Sequence, residues 1–82
     1  MTSAARAALS RLALGAGQAI RDERLRRRWS MADLAVRAGV AIGVVHRVEA
    51  GDTASLESYA RLGAALGLRP TLEFADSRAR RS

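Results

Sequence analysis

Cysteine and lysine are both missing from the 82 residues, and all 14 basic residues are arginine. Without cysteine there is no disulfide framework and no thiolate metal site, which suits a reducing compartment. A single histidine, His46, leaves no cluster with metal-ligand spacing. Aromatic residues are scarce, with one each of Trp, Tyr and Phe, so aliphatic helices must supply the core. Long apolar runs are also lacking. The longest uncharged stretch near the N-terminus, 12–20, is far below the roughly 18 residues needed to span a bilayer, and no membrane partner is expected. No nucleophile–base pair or paired-carboxylate constellation can be assembled, because the acids are spaced for capping and ion pairing. Gly15-Ala16-Gly17 lacks the preceding strand and the Gly-Lys-Ser/Thr element of a phosphate loop. These absences argue against an enzyme, and no cofactor is expected.

What is present is one small domain with a core of adequate size. The net charge is +6, which suggests a polyanionic partner. Its distribution tempers that reading. Arg6, Arg11, Arg78, Arg80 and Arg81 lie near the ends, and without them nine arginines face eight acids. The interior excess is concentrated in Arg24, Arg26, Arg27 and Arg28. Arginine in place of lysine, with abundant Ala, Leu and Gly, points to a GC-rich bacterial genome and says nothing of function. The first 21 residues hold no acid and carry Arg and Ser, as transit peptides do. A surface helix is the preferred reading, because Ile20 and Arg21 already belong to the folded unit.

Along the chain, residues 1–14 read as a helical extension, 15–68 as the main domain, 69–76 as a short strand and 77–82 as a disordered basic tail. The Ala-rich stretch 3–13 has good helix propensity, with Leu9, Leu12 and Ala16 on one face. It is either a separate helix docked on the domain or a continuation into the next, with Gly15 and Gly17 marking a break. A helix over about 18–28 follows, with Ile20, Arg24 and Leu25 inward and Arg21, Arg26 and Arg28 solvated. Ser55 caps a further helix, 56–66, with Leu56, Tyr59, Leu62 and Leu66 on one stripe and Gly67 as its stop. Pro70 forbids continuation. Thr71, Leu72, Glu73 and Phe74 are β-prone and alternate, so they read as a strand.

Between these lies SMADLAVRAGVAIGVVHRVEAG, residues 30–51, the most informative stretch. Ser30 is an N-cap and Asp33 completes a capping-box-like pair, with Trp29 and Leu34 at the flanking staple positions. Gly39 falls where the helix 31–38 must end at positive φ. Val40, Val45 and Val48 turn a second helix, about 42–50, onto Leu34, Ala35 and Ala38 of the first. Two short helices joined by a tight glycine turn can place the second in the DNA major groove.

The segment IRDERLRRRWSMADLAVRAGVAIGVVHRVEAG followed by LESYARLGAALGL resembles the Cro/phage-repressor (XRE) helix-turn-helix family. The resemblance covers about Gly17 to Leu68. It implies an all-α, lambda-repressor-like bundle of about five helices, here followed by a short strand, and a regulator that binds double-stranded DNA as a homodimer in a bacterial cytoplasm, on the nucleoid when bound. It pairs Arg24 with Glu49 as a structural ion pair and places base-reading positions at Ala41, Ile42, Gly43, His46 and Arg47. The chain departs from the family's usual polar readers there. Only Arg47 offers a bidentate hydrogen bond to guanine, Ile42 can touch a thymine methyl, and Gly43 lets the backbone come close. Phosphate contacts are expected from backbone N–H groups at Met31, Asp52 and Thr53, and from Arg27 and Arg28. Arg37 faces solvent. The end RPTLEFAD resembles HipB-type antitoxins, which implies dimerisation through Thr71, Leu72, Glu73 and Phe74. The leading function is thus an operator-binding repressor. The alternatives are an antitoxin that also binds a toxin protein and, more remotely, a protein-interaction module without DNA.

Overall fold

The computed structural model describes residues 1–72 and 74–76, and within them the chain forms four helices and no strand. They are α1 (Ser3–Arg26), α2 (Met31–Ala38), α3 (Ile42–Glu49) and α4 (Leu56–Leu66). The expected count of five fails at the N-terminus. The extension and the following helix are one rod of 24 residues, about 36 Å long. It starts under Thr2, whose hydroxyl accepts the Ala5 N–H at 3.0 Å.

The rod runs unbroken through Gly15 and Gly17 because Gly17 is a contact point. A Cβ there would sit 2.1 Å from the Val48 carbonyl oxygen. Bare backbone at residue 17 therefore lets α1 lie directly against the end of α3, with buried Ala13 and Ile20 on either side. Next to it, Leu14 lies over Gly51, where a Cβ would meet its Cδ2 at 2.6 Å. Packing outweighs the propensity cost of two mid-helix glycines.

All four helices finish in the same way. An N–H one or two residues past the cap closes back on the carbonyl five residues earlier: Trp29 to Arg24, Val40 to Ala35, Asp52 to Arg47 and Leu68 to Gly63, at 2.8–3.1 Å. The residue just before each of these donors has positive φ. It is Gly39, Gly51 and Gly67 in three cases, and Arg28 (φ 59°) in the fourth. Closure at Arg28 is why α1 stops at Arg26 rather than at residue 28.

Leu34, Val45, Val48, Leu62 and Leu66 are fully buried, with Ile20, Ala35 and Ala38 completing the centre. Trp29 and Tyr59 pack on its edge. Two expected inward residues face out instead: Leu25 is half exposed, and Leu56, in the first turn of α4, is 85% exposed. The described residues of the segment expected to be a strand, 69–72 and 74–76, form no regular element. Thr71, Leu72 and Phe74 are exposed, and Glu73 and the expected tail 77–82 lie outside the described residues. A strand needs a partner for its backbone groups, and no other segment of the described chain offers one.

At α2, Ser30 Oγ accepts the Asp33 N–H at 3.0 Å and the Asp33 carboxylate accepts the Ser30 N–H at 2.9 Å, a complete capping box. That backbone N–H, and then the Ser30 hydroxyl, hold the Asp33 carboxyl below its ordinary value. Arg26 and Arg27 do the same to Glu23. A carboxyl depressed in the folded state stabilises the fold above its unfolded value, and that contribution is lost as pH falls through the folded one. Thermal unfolding followed by circular dichroism should thus shift down most steeply below about pH 4.

The two glycines of α1 make a second test with opposite signs. Nothing lies within 4 Å of a Cβ at Gly15, so Gly15→Ala should raise stability by up to about 1 kcal/mol through helix propensity. Gly17→Ala should lower it by about 1–3 kcal/mol, because a backbone carbonyl cannot rotate away from the added methyl. Urea unfolding of the two variants gives both values.

Candidate nucleic-acid interface

Two faces divide α3. Val45 and Val48 are fully buried and Val44 is half-buried, so they fix the helix on the core. Ala41, Ile42, Gly43, His46 and Arg47 are all exposed along the other side. The structure therefore brings the five expected reading positions onto one accessible surface about two turns long. Ala41 occupies the N-cap position and its side chain makes no capping bond. Nothing lies within 4 Å of a Cβ built at Gly43, so the backbone there is bare to solvent. Neither His46 nor Arg47 takes part in an ion pair among the described residues.

The far end of α3 is held by charge. The Arg24 Nε and Nη2 groups donate to the two Glu49 carboxylate oxygens at 2.7 and 2.9 Å, and Nη1 donates to the Trp29 carbonyl at 2.7 Å. Both side chains are nearly out of solvent, at 8% and 2% exposure. The hydrogen bonds to Glu49 push the Arg24 guanidinium above its ordinary value, against a smaller opposing effect of burial. One residue thus ties α1, α3 and the α1–α2 turn together. Among the described residues, no buried side-chain nitrogen or oxygen lacks a partner.

Other expected contacts are placed less simply. At the start of α2, the cap takes the Asp33 N–H and leaves those of Met31 and Ala32 as the free first-turn donors. In the loop after α3 the Asp52 N–H is already spent on the Arg47 carbonyl at 3.0 Å, which leaves Thr53 as the backbone donor there. Arg27 is committed within the fold. It donates to the Leu66 carbonyl at 2.6 Å and to Glu23 at 3.0 Å, so it fastens the end of α1 to the end of α4. Arg28 is exposed and carries the left-handed backbone.

Sequence reasoning missed the arginine–tryptophan cluster. The Arg37 guanidinium carbon lies 4.2 Å from the Trp29 ring centroid, and that of Arg27 lies 5.1 Å away. Arg37 is exposed, as expected, but it is stacked rather than free. Arg61 was also passed over: it pairs with Glu57 and donates to the Gly39 carbonyl at 3.4 Å, bracing the turn before α3. An i,i+4 Glu–Arg spacing was visible for the first of these contacts. Among the described residues, no group of three or more His, Asp or Glu side chains could hold a metal ion. Among the described residues, no helix is long and apolar enough to cross a membrane.

The ion pair can be tested by unequal effects. Arg24→Ala leaves a buried carboxylate and the Trp29 carbonyl without their donor, and should cost about 3–5 kcal/mol in urea unfolding. Replacing Arg24 and Glu49 together by leucine should cost less than the single change, because no buried charge is then stranded.

The helix-turn-helix family model matches residues 20–73, about two thirds of the chain. No curated protein and no solved structure matches it significantly. The matched residues begin within α1 at Ile20, so they contain Arg24, the capped α2, the Gly39 turn, the whole of α3 and all of α4, while the first 19 residues fall outside. With the family matched over these elements, the chain belongs to the XRE-type helix-turn-helix family of DNA-binding regulators.

Proposed function

We propose that the chain is a sequence-specific repressor that binds an operator as a homodimer, inserting α3 of each copy into the major groove. The observation that carries this reading is the outer side of α3, with five exposed reading positions backed by a fixed, ion-paired inner side. Arg47 is the principal reader, through a bidentate contact to guanine O6 and N7. Ile42, nearly half exposed, meets a thymine methyl, and the bare backbone at Gly43 permits close approach. His46 contributes at the margin. Met31, at the start of α2, and Thr53, after α3, present backbone donors to phosphates on either side. Arg28 adds a phosphate contact from the α1–α2 turn, whereas Arg27 is better spent on α4. One strong reader on a small, smooth helix gives modest base specificity, supplemented by DNA shape. Two copies related by a twofold axis would read half-sites about 34 Å apart.

Titration against the DNA upstream of its own gene and against random duplex of equal length tests the operator claim. Equal affinity for both would remove it. Arg47→Ala should cost about 1–3 kcal/mol at one G·C position in each half-site, whereas loss spread evenly over all sequences would reassign Arg47 to phosphate. Gly43→Ala separates folding from binding. The methyl has open space in the free protein and favours the helix by about 1 kcal/mol, so stability should rise while operator affinity falls. Arg28→Gly makes a similar split: it relieves a left-handed non-glycine residue, worth about 1–2 kcal/mol, and it should flatten the salt dependence of binding by about one phosphate contact.

A further inference from the structure

The first half of α1 is the least supported part of the fold. Residues 3–12 are exposed apart from half-buried Ala8, and a helical end that short is marginal in water by itself. Together with the start of α4 and the segment after it, this end walls a groove of about 790 Å³. Leu9, Leu12, Leu56 and Leu72 line the groove and are all substantially exposed, a concentration of apolar surface that an isolated small domain rarely leaves open. Leu9 and Leu12 precede the family match, so that wall is something this chain adds to the shared domain.

Gly15 supplies a separate observation. It lines the same groove, and nothing lies within 4 Å of a Cβ built on it. A mid-helix glycine costs about 1 kcal/mol against alanine. At Gly17 the contact with the Val48 carbonyl offsets that cost, and Gly15 has no such contact among the described residues. Bare helical backbone on the wall of an open apolar groove fits close approach by a second molecule.

Charge and backbone chemistry define the occupant. Among the described residues the charged lining is Arg11 and Arg69, with no acid, and neither arginine has an ion pair or hydrogen bond. Acidic groups on the occupant would therefore meet two unmatched cations. The long walls are α1 and α4, whose backbone groups are paired within each helix, so an occupant cannot add a strand to them. It must satisfy its own backbone, as a helix does. A second copy, at net charge +6, would bring like charge, and its first 21 residues hold no acid. Nucleic acid would meet the arginines and leave the leucine walls unfilled.

We propose that the groove seats an amphipathic, acidic helix of a different protein. Its apolar stripe packs on Leu9, Leu12 and Leu56, its backbone comes close at Gly15, and its flanking carboxylates pair with Arg11 and Arg69. Occupancy covers the end of α1 that the fold leaves unsupported. This surface goes beyond the DNA reading and does not depend on it.

The probe is a synthetic amphipathic peptide, roughly 15–20 residues long, with a leucine stripe flanked by glutamates. Its control carries lysine in place of every glutamate. Titrated against the full chain by fluorescence anisotropy, the glutamate peptide should bind roughly tenfold more tightly than the lysine peptide. It should also slow hydrogen exchange at the amides of residues 3–12. Arg11→Glu combined with Arg69→Glu should reverse the preference between the peptides. Leu12→Asp should weaken binding by roughly tenfold or more, with an unchanged helical spectrum because the residue is half exposed. Gly15→Ala should bind more weakly although its fold is more stable, a split that general loss of structure cannot produce. Equal affinity for the two peptides, indifference to Leu12→Asp, or tighter binding by Gly15→Ala would overturn the proposal. So would self-association of the wild-type chain, or its binding to phosphatidylglycerol vesicles, that Leu12→Asp abolishes, because the groove would then belong to a second copy or to a lipid surface.

Discussion

The three hydrogen bonds from one arginine set the frame on which the exposed side of α3 is hung. Arg24 reaches from the last turns of α1 to both oxygens of Glu49 at the end of α3 and to the carbonyl of Trp29 in the turn before α2. Such a buried pair is weak evidence for stability, because desolvation consumes much of the attraction. Its value lies in direction. A carboxylate at 2% exposure can be satisfied only with α3 in one axial position and one rotation, and Val45 and Val48 alone would permit several. The outer side of α3 is thereby fixed by a contact on the inner side.

Around that frame the fold works with very short pieces. Helices of eight residues are not stable by themselves, and both α2 and α3 are of that length. The capping box at Ser30 and Asp33, the left-handed residue after each helix, and the guanidinium groups of Arg27 and Arg61 on carbonyls of Leu66 and Gly39 satisfy backbone groups that would otherwise be orphaned. Much of the basic excess is therefore structural. Of the cluster 24–28, Arg24 holds Glu49, Arg26 and Arg27 hold Glu23, and only Arg28 is left facing outward without such a role. Net charge alone is a poor guide to how many arginines are available for phosphate.

The central motif was legible because its signals are local. Ser30 with Asp33 three residues on, Gly39 directly after Ala38, and the Val45–Val48 spacing each determine geometry over a few residues. Periodicity also gave the correct phase for Ile20, Leu34, Leu62 and Leu66. It could not say where the covering body ends, which is why Leu25 and Leu56 sit on a sound helical pattern and yet face water. The unbroken course of α1 was hidden for a different reason. Two glycines within three residues weaken any isolated helix, and only the distant Val48 carbonyl explains why residue 17 must have no side chain. The tie from Arg27 to α4 went unseen because that partner is a backbone carbonyl, which no side chain advertises, although the Glu23 four residues before it was in view. The reading of Thr71 to Phe74 as a strand relied on alternation and on a neighbour that only a second copy could supply, and the chain by itself offers none.

Because α1 is a single rod, its contacts share one phase. Ala13 is buried, Leu14 covers Gly51 and Gly17 meets Val48. Adding one residue between positions 13 and 17 would twist everything upstream through about 100° and slide it about 1.5 Å. Leu9 and Leu12 would then be carried off their side of the molecule while Arg24 kept its grip on Glu49. Length changes in this stretch should consequently be tolerated only in near-whole turns, so that the rod acts as an angular gauge between the end of the chain and α3.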